Sequence, residues 1–164
     1  MTSADGTPTA PGTRVALRPP SAGDRGLRAE FFKGREFTEL LASRVDAVVD
    51  FPWEDGELPD PAVPSDGFCV RWTGMVNVPK SGRWTFFVTS DDGCRLFIDG
   101  KQVVDAWRDR APEESAGTTE LKKGAHEIRL EYFQGGSGKA VHLAWEGPEQ
   151  AKGIIAAEFL TPPK

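Results

Sequence analysis

Apolar residues recur at every second position through most of the chain. Phe68, Val70 and Trp72 alternate with Cys69, Arg71 and Thr73, and Trp84, Phe86 and Val88 with Thr85, Phe87 and Thr89. Ile128, Leu130 and Tyr132 alternate with Arg129, Glu131 and Phe133, and Val141, Leu143 and Trp145 with His142 and Ala144. A period of two turns one side of an extended segment toward a core, so each run predicts a β-strand. Asp99-Gly100, between Leu96-Phe97-Ile98 and Gln102-Val103-Val104, supplies the positive φ angles of a tight hairpin. Pro79-Lys80-Ser81-Gly82 and Lys122-Lys123-Gly124 mark further turns. Helix-like spacing occurs at Phe37, Leu40, Leu41, Val45 and Val48 and predicts one short helix. Many short strands joined by Gly/Pro turns predict an all-β fold. The expected architecture is an antiparallel, jelly-roll-like β-sandwich with long loops at one end.

Around this pattern the chain divides into three parts. Residues 1–26 are rich in Pro, Gly, Ser and Thr and read as an arm or linker. Residues 27–160 form the folded domain, and residues 161–164 look like the start of another linker. Such flanks suggest a monomeric module of a larger chain. Between Phe51 and Phe68 the alternation stops, and Pro52, Pro59, Pro61 and Pro64 accompany Trp53. Two readings stand side by side here. Either this long loop is a binding surface with Trp53 offered to a ligand, or it is a flap that seals the sandwich with Trp53 buried. Trp107 follows Val103 and Val104 closely and is expected to cover the core.

Composition narrows the functional classes. The 164 residues include 38% hydrophobic ones, with ten Phe and five Trp, a load that disordered chains lack. Twenty basic residues against 25 acidic ones leave a net charge of −5, which disfavours a surface that tracks nucleic-acid phosphates. No apolar run approaches the ~20 residues needed to span a bilayer, so membrane insertion is not expected. Met1–Gly12 has neither the basic start nor the apolar stretch of a signal peptide. Cys69 alternates with Arg71, whereas Cys94 alternates with Leu96 and Ile98, so the two are expected on different faces as buried thiols, with a bridge as the alternative. His126 and His142 have no neighbouring Cys or His at zinc-ligand spacing.

The candidate chemistry lies in Ser90-Asp91-Asp92-Gly93, between two predicted strands. Adjacent carboxylates normally point to opposite sides of an extended chain. A sharp turn can make both face one point, and the pair then suits calcium, which takes six to eight hard oxygens at ~2.3–2.6 Å. The alternative is a solvated turn whose aspartates bond nearby amides. A glycosidase needs two carboxyls ~5–9 Å apart in environments that separate their pKa values. Neighbours in one loop do not meet that condition. Asp105, Asp109, Glu113 and Glu114 lie in an expected loop with no nucleophile or base signature, so no enzyme is expected. A second stretch, Gln134-Gly135-Gly136-Ser137-Gly138-Lys139, has backbone free to turn carbonyls toward a ligand, or is a hairpin loop with no task.

Several blocks together are similar to a known family. They are Gly26-Leu-Arg-Ala-Glu-Phe-Phe32, Phe68-Cys-Val-Arg-Trp-Thr-Gly74, Pro79-Lys-Ser-Gly-Arg-Trp-Thr-Phe86, Ser90-Asp-Asp-Gly-Cys-Arg-Leu-Phe-Ile-Asp-Gly100, Lys123-Gly-Ala-His-Glu-Ile-Arg-Leu-Glu-Tyr-Phe133 and Leu143-Ala-Trp145. Over residues 26–160 the chain resembles the PA-fourteen (PA14) domain, a module of anthrax protective antigen, yeast flocculins, bacterial adhesins and glycosidases. The resemblance implies a β-sandwich. In the lectin branch it also implies a cis-linked aspartate pair, matched by Asp91 and Asp92, that binds calcium, which in turn coordinates vicinal sugar hydroxyls. A second loop, matched by Gln134 to Lys139, completes the shell in that branch. Gln134 stands where flocculin-type members have asparagine, with main-chain carbonyls of Gly135 and Gly136 beside it. The implied metal set is thus Asp91, Asp92, Gln134, Gly135 and Gly136. The implied sugar contacts are Asp91, Asp92, Gln134, Ser137, Lys139 and Trp53. The function so implied is a non-catalytic, calcium-dependent carbohydrate-binding module with a glycan partner and an extracellular or cell-surface setting. The alternative is a structural or protein-interaction module.

Overall fold

The computed structural model describes residues 25–54, 56–136 and 138–163. Residues 1–24 of the expected arm, Ser137 of the glycine-rich loop and the terminal Lys164 lie outside them. The described residues form two antiparallel sheets. The first runs β2 (Glu39–Asp46), β1 (Leu27–Lys33), β4 (Phe68–Val78), β9 (Gly124–Gln134), β6 (Cys94–Ile98), β7 (Lys101–Ala106), with β12 (Leu160–Thr161) on the far half of β4. The second runs β11 (Gln150–Ile154), β10 (Ala140–Gly147), β5 (Gly82–Asp91), β8 (Glu113–Leu121), with β3 (Asp50–Phe51) on β10. The expected β-sandwich is the fold.

The core is built from the residues whose alternation predicted the strands. Phe68, Val70, Trp72, Leu130 and Tyr132 of the first sheet meet Trp84, Phe86, Val88, Val141, Leu143 and Trp145 of the second, all buried. Trp84 and Trp145 pack with ring centroids 4.5 Å apart. Trp72 hides its indole N–H by donating to Asp46 Oδ2 at 2.9 Å, so the buried ring leaves that donor satisfied. The Asp99-Gly100 hairpin joins β6 to β7 as expected, with φ of 51° and 79° at the two turn residues. Cys94 faces the core while Cys69 lies on the opposite face with Phe32 and Phe133, so one sheet separates the two free thiols.

Three expectations are corrected. Phe37–Val48 holds no helix. Residues 39–46 are strand β2, paired with β1 from Leu27↔Asp46 to Lys33↔Glu39. A two-to-three-turn helix is marginal by itself, whereas the open edge of β1 offers a ladder of unmet hydrogen bonds. Leu40 and Val45 stay exposed, as edge-strand residues can. Of the four acids expected in a loop only Asp109 is in one: Asp105 lies in β7 opposite Arg95, and Glu113 and Glu114 open β8, whose register with β5 starts at Ser90↔Glu113. That strand buries only Leu121, so no apolar alternation announces it. Thr161, expected to begin a linker, pairs with Met75 in β12.

The outer face of the first sheet carries a buried charge. Glu131 is 3% exposed and accepts from Arg95 Nε at 2.6 Å and Arg71 Nε at 2.8 Å. Burial alone would raise its pKa, but the two arginine bonds outweigh burial and hold it below the usual carboxylate range. Because the folded value is the lower one, the ionised form stabilises the fold fully above the unfolded value of about 4.3, and the gain is lost as pH falls through the folded value. Glu131→Gln is therefore expected to lower stability at pH 7 by about 1–3 kcal/mol. In thermal melts the gap to wild type is expected to close below pH ~4. A gap that does not change with pH contradicts the ion-pair account.

Candidate functional site

β5 belongs to one sheet and β6 to the other, and only Asp92 and Gly93 separate them. The chain returns from β9 to β10 across residues 135–139, and it crosses once more from β7 to β8 across residues 107–112. Register places all three crossings side by side. Ala140 lies opposite Asp91, Tyr132 and Ala106 lie opposite Cys94, and Glu113 lies opposite Ser90. The candidate site is the meeting of these crossings at one end of the sandwich.

Asp91 and Asp92 are joined by a cis peptide and are only 8% and 7% exposed. Asp92 receives main-chain donors from two neighbouring crossings, Gly135 N–H at 2.7 Å on Oδ2 and Arg110 N–H at 3.2 Å on Oδ1. The Asp91 carbonyl accepts from the Tyr132 hydroxyl at 2.6 Å. Burial raises the Tyr132 pKa, and the Asp91 and Asp92 charges raise it further, so the phenol stays a neutral donor. The Asp92 carbonyl accepts from Ser90 Oγ at 2.8 Å. Ser90 in turn accepts from Arg110 Nη2 at 2.9 Å, and the same guanidinium reaches Ser115 Oγ and the Glu113 carbonyl, each at 2.9 Å. Arg110 thus clamps the 107–112 crossing to the end of β5.

The glycine-rich loop lies directly on the carboxylates. A Cβ on Gly138 would stand 2.8 Å from Asp91 Oδ2, and one on Gly135 would stand 3.3 Å from Asp92 Oδ2. Only a bare backbone approaches both side chains so closely. Two buried carboxylates against one glycine-rich loop are hard oxygen donors of the kind a divalent cation takes, and the group that the loop presents to Asp92 is the Gly135 N–H. Among the described residues no three His, Cys, Asp or Glu groups gather to hold a metal. The remainder of a shell would come from amide and carbonyl oxygens.

The other expected site residues separate into two groups. Gly135 is at the site through its N–H on Asp92, Gln134 is fully buried beside it with its Nε2 donating to Asp66 Oδ1 at 3.1 Å, and Gly136 is exposed with no contact to either aspartate shown. Trp53 and Lys139 face inward. Trp53 is the anchor of a covering flap, stacked on Phe51 at 4.8 Å and packed against Phe68 and Tyr132. Lys139 is buried and donates to the Glu54 carbonyl at 2.9 Å, which ties the same flap to the end of the 135–139 crossing. Arg110 and Tyr132 were not singled out from the sequence, and Ser90 only as the first residue of the Ser-Asp-Asp-Gly block. The links that bring Arg110 to Ser90 and Tyr132 to Asp91 cross 20 and 41 positions of chain, and no local spacing encodes those two.

Comparison with known proteins places this geometry in a family. The PA14 domain profile matches residues 23–158. The anti-sigma-I factor RsgI3 of Acetivibrio thermocellus is 34% identical over 138 residues, which is 84% of this chain and 21% of that protein. A solved anti-sigma factor domain-containing protein superposes with a TM-score of 0.84 at 32% identity, over 88% of this chain and 49% of that one. A PA14 sugar-binding domain from an RTX adhesin shares the fold at a TM-score of 0.73 and 17% identity, over 85% of this chain and 99% of that one. The chain therefore spans about a fifth of the curated relative and half of the solved one.

Ser90 tests the local architecture. Ser90→Ala removes the hydroxyl between Arg110 and the Asp92 carbonyl and is expected to cost about 1–3 kcal/mol in urea unfolding. A loss under about 0.5 kcal/mol contradicts the clamp.

Proposed function

The chain belongs to the PA14 domain family, and from that premise we propose that it is a non-catalytic, calcium-dependent carbohydrate-binding module of a larger extracellular protein. One observation carries the reading: two buried, adjacent carboxylates turned onto a single glycine-rich loop. Asp91 and Asp92 would hold calcium, with oxygens of Gln134, Gly135 and Gly136 completing the shell. When bound, the ion supplies a hard electrophilic centre that takes sugar hydroxyl oxygens in place of water. The chain's own residues do the rest. Gly135 N–H and Arg110 N–H fix the Asp92 carboxylate, Tyr132 fixes the Asp91 backbone, and the flap pinned by Trp53 and Lys139 closes the core behind them. The likeness to a sugar-binding adhesin domain supports this reading at the level of fold. No described helix is long and apolar enough to cross a membrane.

A second reading draws on the 34% identity to an anti-sigma factor. In it, the domain makes protein contacts inside a larger chain and the aspartates only shape the crossing.

Calorimetry separates the two. Calcium titrated into the wild type is expected to saturate near about 0.1–1 mM, the range of extracellular calcium modules. Asp91→Asn and Asp92→Asn are each expected to weaken it at least about tenfold. Absence of heat at millimolar calcium removes the metal and favours the second reading. Glycan binding that persists in a chelator rejects the calcium route alone.

A further inference from the structure

At the rim of the aspartate pair stands an ion pair with no part in the contacts above. Arg35, in the turn after β1, meets Asp109, in the β7–β8 crossing, with Nη2 2.7 Å from Oδ1. Pairs on an open surface usually contribute little, because two long side chains must be held in one geometry. Here packing does the holding. The Arg35 guanidinium lies 4.1 Å above the ring of buried Phe133, and Trp107 packs on the same ring at 4.8 Å, two residues before Asp109. Arg110, the next residue after Asp109, is clamped to Ser90 and Ser115.

The pair stands beside the carboxylates. One point, the Cβ position built on Gly135, is 3.0 Å from Arg35 Nη2, 3.3 Å from Asp92 Oδ2 and 3.4 Å from Asp109 Oδ1. A ligand that reaches Asp92 on the Gly135 side lies beside Arg35 and Asp109, whose side chains remain 44% and 71% exposed. Together they present further N–H donors next to a carboxylate oxygen that still accepts. A hydroxyl group both donates and accepts, so it complements the pair. A carboxylate ligand finds the guanidinium charge already neutralised by Asp109, so the rim offers it no net positive charge.

We propose that Arg35 and Asp109 form a hydroxyl-reading rim of the Asp91–Asp92 site that selects neutral sugars over uronates, an inference that rests on the glycan-binding reading above. The test is a glycan array in millimolar calcium, carrying neutral hexose-terminated and hexuronate-terminated oligosaccharides, probed with wild type, Asp109→Asn and Arg35→Gln. Wild type is expected to retain the neutral set. Asp109→Asn, which frees the Arg35 charge, is expected to lose neutral binding about tenfold and to gain the hexuronate set. Arg35→Gln is expected to lose neutral binding without that gain. A purely structural role would lower both sets together in Asp109→Asn. An unchanged ratio between the sets in Asp109→Asn, or a wild type that prefers hexuronates, overturns the rim while leaving glycan binding in place. A wild type that retains no glycan overturns both.

Discussion

The step from β5 to β6 changes sheets with only two residues to spare, Asp92 and Gly93. Once that step is taken, pairing carries the other crossings to the same place. β10 lies beside β5, while β9 and β7 both lie beside β6, so the returns at 107–112 and 135–139 must pass next to Asp91 and Asp92. Three segments then meet with main-chain groups that no ladder serves, and buried groups of that kind need partners. Side chains at the step provide several of them. Asp92 takes N–H groups from two crossings, and the Ser90–Arg110 link ties the third strand end to the first. The aspartates are thus part of the architecture before any ligand is considered.

This double role bears on function. A carboxylate oxygen that accepts one amide still has a lone pair to offer, so the structural bonds of Asp92 do not remove it from ligand chemistry. They fix its position. The glycines opposite are equally constrained, since a side chain at Gly138 would intrude on the Asp91 carboxylate. The fold itself is shared by proteins described as sugar-binding and as anti-sigma factors, and it therefore says little about activity. What distinguishes one member from another lies in the crossings and their rims.

Much of the fold was legible because burial on one side of a sheet writes a period of two into the chain. Trp84, Phe86 and Val88 carry it, and so do Val141, Leu143 and Trp145. Elements that bury little were not legible. β8 is defined by hydrogen bonds to β5 and buries only Leu121, and β2 borrows its conformation from the edge of β1 despite a helical spacing of its apolar residues. The Ser-Asp-Asp-Gly block and the glycine-rich loop could be found by their residue types. That Trp53 faces the core could not be decided locally, because a tryptophan in a proline-rich loop suits a flap as well as a surface.

By itself, the amino-acid order determined a two-layer β architecture, its Asp-Gly hairpin, the separation of Cys69 from Cys94 and the identity of the acidic pair. These depend on alternation, on turn stereochemistry and on residue type, all of which are local. The tertiary structure alone decided that Gly135 and Gly138 rest on those carboxylates, that Arg110 clamps the end of β5, and that Arg35 reaches Asp109 across 74 positions of chain. Contacts of that range are set by which strands lie side by side, and strand order is a property of the packed sheets, not of any segment within them.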